Sequence, residues 1–149
     1  SFANLTELLS LSGPYNERST DVPFFKWSDV IKDVQPGATL PAGMSRQAVI
    51  IEDYMLAAHE AFPNLKCKPH VHGSAQTTYM ITGKLRMVIG GEVQVIGPGE
   101  FAHVPPNVEH SIESLDEYVL AVDIFRPARP DIAARLAELE AHTEEVKPG

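Results

Sequence analysis

The chain has 149 residues, 44% of them hydrophobic and 21% charged, which suits one soluble globular domain with a core of its own. A formal net charge of −8 argues against nucleic acid, anionic membrane or a long polyanion as partner, although a local arginine can still hold one carboxylate. No apolar run reaches the roughly 20 residues of a membrane span; no signal peptide is visible, and the single Cys67 cannot close an internal disulfide, so a cytoplasmic protein is expected.

Residues 1–45 read as a mixed arm. Asn4 to Leu11 suits a short helix capped by Asn4 or Thr6. Pro14, Pro23, Pro36, Gly37, Pro41 and Gly43 punctuate the rest of the arm, and Trp27 to Ile31 allows one more helical turn. Phe24, Phe25, Trp27, Val30 and Ile31 give the arm apolar surface for a barrel edge or a dimer seam, and it is too short to bury a separate core.

Residues 46–129 read as strands. Ala48–Glu52, Tyr54–Ala61, Thr77–Thr82, Leu85–Ile89, Val93–Ile96, Phe101–Val104 and Tyr118–Phe125 are short runs with frequent β-branched or aromatic members. Gly90-Gly91 is a hairpin turn signal. The close spacing predicts an all-β antiparallel sandwich or barrel. In the last segment, 130–149, Pro130 suits a helical first turn, and Ile132, Leu136 and Leu139 form a packing stripe over 130–146.

The chemistry concentrates in PHVHGSAQTTYMITG and GEFAHVPPNVEH. His70 and His72 lie two apart, so on a strand both rings leave one face, and Gln76 joins them if the strand stays regular past Gly73. His110 arrives from a distant segment after the Pro105-Pro106 corner. Three imidazoles and one oxygen suit a divalent metal, such as Zn, Ni, Fe or Mn, with positions left for water or substrate. Gln76 either ligates or only hydrogen-bonds a ligand or water.

The order of these residues resembles the two motifs of the cupin family: HxH, three or four residues, Glu, six residues, Gly; then Gly, five residues, Pro-x-Gly, two residues, His. Here Gln76 stands for the Glu and Asn107 for the Gly, between Gly83 and Gly99 and before His110. Asn tolerates the left-handed backbone a Gly would adopt. The resemblance implies a small cupin β-barrel of jelly-roll type, with the N-terminal arm and short C-terminal helix added. A Gln in place of Glu would leave the metal its full double charge, suited to polarising a substrate oxygen.

SAQTTYMITGKLRMVI, GPGEFAHVPPNVEHSI and VDIFRPARPD are further similar to the KdgF subgroup of small cupins, over roughly residues 60–131. The resemblance implies conversion of 4,5-unsaturated uronate monosaccharides to a linear keto form, a small carboxylate substrate, three His and a Gln on the metal, and a homodimer. It also implies site roles for Asp123, Phe125 and Arg129. Asp123 closes an apolar strand, where a carboxylate is costly unless paired or used. It would move a proton, or pair with Arg126 or Arg129 as a clasp. Arg129 would fork onto a substrate carboxylate or stay solvated. His103 reads as a half-buried core histidine, or as a pocket-facing extra acid/base or fifth ligand. Tyr79 reads as packing the outer face, and either Lys84 or Arg86 as entering the barrel. His59, His142 and Cys67 read as structural or solvent-facing. Three histidines on Fe(II) also suit a dioxygenase, and a non-catalytic sugar-acid sensor uses the same groups.

Overall fold

The computed structural model describes residues 23–146, so the helix expected from Asn4 to Leu11 lies outside the described residues. A 3-10 turn at Trp27–Asp29 leads into β1 (Lys32–Asp33). Then come β2 (Met44–Ile51), β3 (Tyr54–Ala61), β4 (Ala75–Thr82), β5 (Leu85–Ile89), β6 (Glu92–Ile96), β7 (Phe101–Val104), β8 (His110–Ser114) and β9 (Val119–Arg126). Helix α1 spans Pro130–Val146.

The strands form a six-stranded sheet, β1-β2-β3-β9-β4-β7, and a three-stranded one, β6-β5-β8. Every pairing is antiparallel. This is the expected all-β arrangement of antiparallel sheets followed by a C-terminal helix. Period-two burial along β9 shows why: Val119, Ala121, Asp123 and Phe125 point inward while their neighbours are more exposed. At Gly90 and Gly91 φ is 55° and 87°, the two positive values that a two-residue β5–β6 hairpin requires.

Leu85, Met87 and Ile96 of the small sheet meet Met44, Met80, Val104 and Val119 of the large one in the inter-sheet core. A second cluster forms where Ile132, Ala133 and Leu136 of α1 pack on Ile50, Met55 and Phe125. Strands β1 and β8 escape sequence reading. β1 has two residues, and β8 follows the Pro105-Pro106 corner with a mixed polar run, His110-Ser111-Ile112-Glu113-Ser114.

Candidate metal centre

The segment before β4 is not the regular strand that the histidine spacing suggests. It runs beside β8 through isolated bridges, Lys66 to Glu113 and His70 to His110, and turns at Gly73-Ser74 before β4 begins. The His70 and His110 backbones exchange two hydrogen bonds of 3.0 Å, which sets their rings 4.2 Å apart, centre to centre. Asn107, at φ 62°, donates its N–H to the His72 carbonyl at 2.9 Å and so ties the other half of the motif to the same corner. The His72 ring lies 4.7 Å from that of His110.

The side chains complete the cluster. Each Nδ1–H donates to a backbone carbonyl: His70 to Lys68 at 2.9 Å, His72 to Ser74 at 2.8 Å and His110 to Val108 at 2.8 Å. These bonds fix the tautomer and leave the Nε2 lone pairs for a ligand. One ligand atom from each ring lies within 4.8 Å of the others. His110 Nε2 is buried without a hydrogen-bond partner. Burial pushes His110 down to about 4 and also lowers His72, helped there by the nearby Arg129 charge, so both rings are neutral near pH 7.

Gln76 is oriented by what it donates to. Its Nε2 bonds Thr78 Oγ1 at 3.0 Å and Asp123 Oδ1 at 3.2 Å, which turns Oε1 toward His72 Nε2, 3.0 Å away. Two lone pairs then face each other across that gap, an arrangement that a cation between them relieves. The donor set fits a divalent cation.

These groups open onto a cavity of about 560 Å³. Phe125 is buried in its wall, edge-on to His72 at 5.7 Å, with the Arg129 guanidinium 5.2 Å from its ring centre. The Arg129 fork is already engaged: Nε and Nη2 donate to Asp131 at 3.1 and 2.6 Å. Burial opposes the Asp131 charge, but this fork outweighs it and holds its pKa below the usual value. Asp123, 7% exposed, makes no clasp with Arg126 or Arg129. Arg126 pairs with Asp53 instead. Asp123 accepts from Thr78 and Gln76 at Oδ1 and meets His59 Nδ1 with Oδ2 at 2.6 Å.

His59, read as structural or solvent-facing, lines the cavity and bonds Asp123 there. Two other expectations, for His103 and for Lys84 or Arg86, are corrected. His103 is exposed and bonds Thr77 at 3.2 Å, because it shares the outward parity of Phe101. Neither Lys84 nor Arg86 enters the barrel, since Leu85 and Met87 take the inward positions and Arg86 reaches Glu113. The arginine that does enter is Arg46, 2% exposed, bonded to the Thr39 carbonyl and hydroxyl at 2.9 Å. Burial pushes it down to about 10. Strand parity carried both missed residues: Arg46 falls in register with Met44 and Ala48, and His59 with Met55, Ala57 and Ala61. Tyr79 packs outside as expected, stacked on Phe101 at 6.2 Å, and His142 is exposed. Cys67 also lines the cavity, but burial and the Asp123 charge push its thiol up to about 11, so it stays protonated.

Residues 59–125 match the family model for the cupin domain. The pectin degradation protein KdgF of Dickeya dadantii (strain 3937) is 30% identical over 104 residues, 68% of this chain and 94% of that protein. Among solved structures, KdgF from Halomonas sp. superposes with a TM-score of 0.64 at 26% identity, covering 73% of this chain and 96% of the other. An RmlC-like cupin from Shewanella frigidimarina NCIMB 400 superposes with a TM-score of 0.65 at 22% identity, covering 74% and 95%. No helix among the described residues is long and apolar enough to cross a membrane.

Proposed function

Because this chain belongs to the cupin family, we propose that it is a metal-dependent enzyme of the KdgF type. It would convert 4,5-unsaturated uronate monosaccharides to their linear keto form. The observation that carries this reading is one cavity holding both a three-histidine cluster and a buried carboxylate, joined by the Gln76 amide. His70, His72 and His110 through Nε2 and Gln76 through Oε1 are the proposed metal holders. With a neutral amide among them, a bound Zn, Ni, Fe or Mn keeps its double charge and supplies Lewis-acid polarisation of a substrate oxygen.

The remaining work falls to the chain's own groups. Arg129 Nη1, without a hydrogen-bond partner among the described residues, is the edge offered to the substrate carboxylate. Phe125 is the apolar wall that keeps water from the ring face. The conversion is an isomerisation. A proton leaves the hemiacetal hydroxyl, the ring C–O bond breaks as the aldehyde C=O forms, and the enol carbon takes a proton. The Asp123–His59 pair handles that proton. The same reading carries a homodimer, which sedimentation checks, and residence in the cytoplasm.

Incubating metal-loaded protein with an unsaturated uronate tests the proposal by NMR. The vinyl proton is expected to vanish faster than it does spontaneously, and equal rates would overturn the reading. Asp123→Asn is expected to keep the metal and lose about 10²–10⁴-fold in turnover.

A further inference from the structure

The proton-handling pair is asymmetric. The Asp123 carboxylate is saturated with donors: Thr78 and Gln76 on Oδ1, His59 on Oδ2. A carboxylate oxygen accepts, and Oδ2 faces the His59 Nδ1 at 2.6 Å, so that ring nitrogen is the one that carries the hydrogen. That assignment places the lone pair of His59 on Nε2, which has no hydrogen-bond partner among the described residues.

His59 differs from the other three cavity histidines in what stands behind it. His70, His72 and His110 rest their Nδ1 on backbone carbonyls and converge through Nε2. His59 rests its Nδ1 on a carboxylate and lies outside that cluster. A carboxylate behind an imidazole fixes its tautomer and stabilises the imidazolium formed when Nε2 takes a proton. The sheet leaves room for the ring. Ala57 and Ala61 flank His59 on the inward face of β3, and Ala121 lies opposite on β9. Arg46, directly opposite on β2, is committed to Thr39 and Asp33 and does not compete for Asp123.

We propose that His59, through Nε2, is the catalytic acid–base of the cavity and that Asp123 is its positioning residue. This rests on the enol-to-keto reading above. Nε2 takes the hemiacetal hydroxyl proton as the ring C–O bond breaks. The resulting imidazolium, held by Asp123, returns a proton to the enol carbon. The pair of the broken C–O bond stays on the former ring oxygen as an enolate. As that oxygen becomes the keto C=O, the C=C π pair forms the new C–H bond, so the product is an isomer of the substrate and His59 ends as it began.

The test compares wild type with His59→Asn, which keeps an amide donor for Asp123 but has no base, and with His59→Ala. The vinyl-proton assay is expected to show turnover lower by about 10²–10⁴-fold in both variants, with KM and bound metal unchanged. Free imidazole is expected to restore turnover to His59→Ala and not to Asp123→Asn. A second measurement needs no variant: in ¹⁵N-labelled wild type, His59 is expected as the Nδ1–H tautomer, its Nε2 shifting when a saturated uronate binds. An active wild type whose His59→Asn turns over within about threefold of it would overturn the role of His59 alone. The opposite tautomer would overturn it too. A wild type that converts no uronate would instead sink the reading beneath it.

Discussion

Two buried carboxylates, Asp33 and Asp123, are 2% and 7% exposed, yet the regions around them are built differently. Asp33, on β1, receives Arg135 of α1 through Nε at 2.9 Å and Nη2 at 3.2 Å, with Arg46 of β2 at 3.6 Å. Burial works against its charge, but the Arg135 bond and the two cations outweigh that and hold its pKa below the usual value. This clasp answers charge with charge and ties together segments 102 residues apart in the chain. Around Asp123 the donors are an amide, a hydroxyl and an imidazole, and the adjoining histidines keep lone pairs open to the cavity. A network that closes on itself holds structure, whereas one that leaves lone pairs unspent can bind and move protons.

That contrast breaks first at His110. His110→Ala is expected to abolish stoichiometric metal binding, read by calorimetry, together with uronate turnover, while circular dichroism stays that of a β-protein. Retention of a full equivalent of tightly held metal would remove His110 from the proposed site.

Next comes the clasp. Asp33→Ala strands the Arg46 guanidinium, 1% exposed at its side chain, without its counter-ion. Such a buried, unpaired charge costs about 3–5 kcal/mol, measurable by urea unfolding. The folded fraction is expected to bind metal as wild type does. A loss of metal affinity would show that clasp and site are one network.

The subtlest test is pH. In chelator-treated protein, an unfolded His110 takes up its proton near pH 6.5, whereas the folded one waits until about 4. The unfolded chain binds more protons between those values, so stability rises with pH there. The contribution is complete above the ordinary imidazole value and lost as pH falls toward the folded one, on the order of 3 kcal/mol in all. Asp33 is lowered from a carboxylate value and so titrates only further into acid. Melting at pH about 5 against about 7 therefore reports the histidine site and not the clasp. Equal melting at both would break the distinction.

Most of the barrel was legible because strand alternation is local. Tyr54–Ala61, Leu85–Ile89 and Phe101–Val104 were readable to the residue. A histidine pair alone is weak evidence, and the histidine motif was legible because two segments, His70 to Gly83 and Gly99 to His110, agree together with the cupin pattern. What stayed hidden was pairing. His59 reads from sequence as structural or solvent-facing since its partner lies 64 residues away, and for Asp123 a clasp with the nearby Arg126 or Arg129 stands open beside a proton-moving role. Strand order decides otherwise, placing β9 between β3 and β4 and so Asp123 within reach of both His59 and Thr78.

By itself, then, the sequence determined the periodicities, the turns and the inventory of donors. These depend on each residue and its close neighbours. The tertiary structure alone decided which donor meets which acceptor, because contact across a sheet is set by strand order and register.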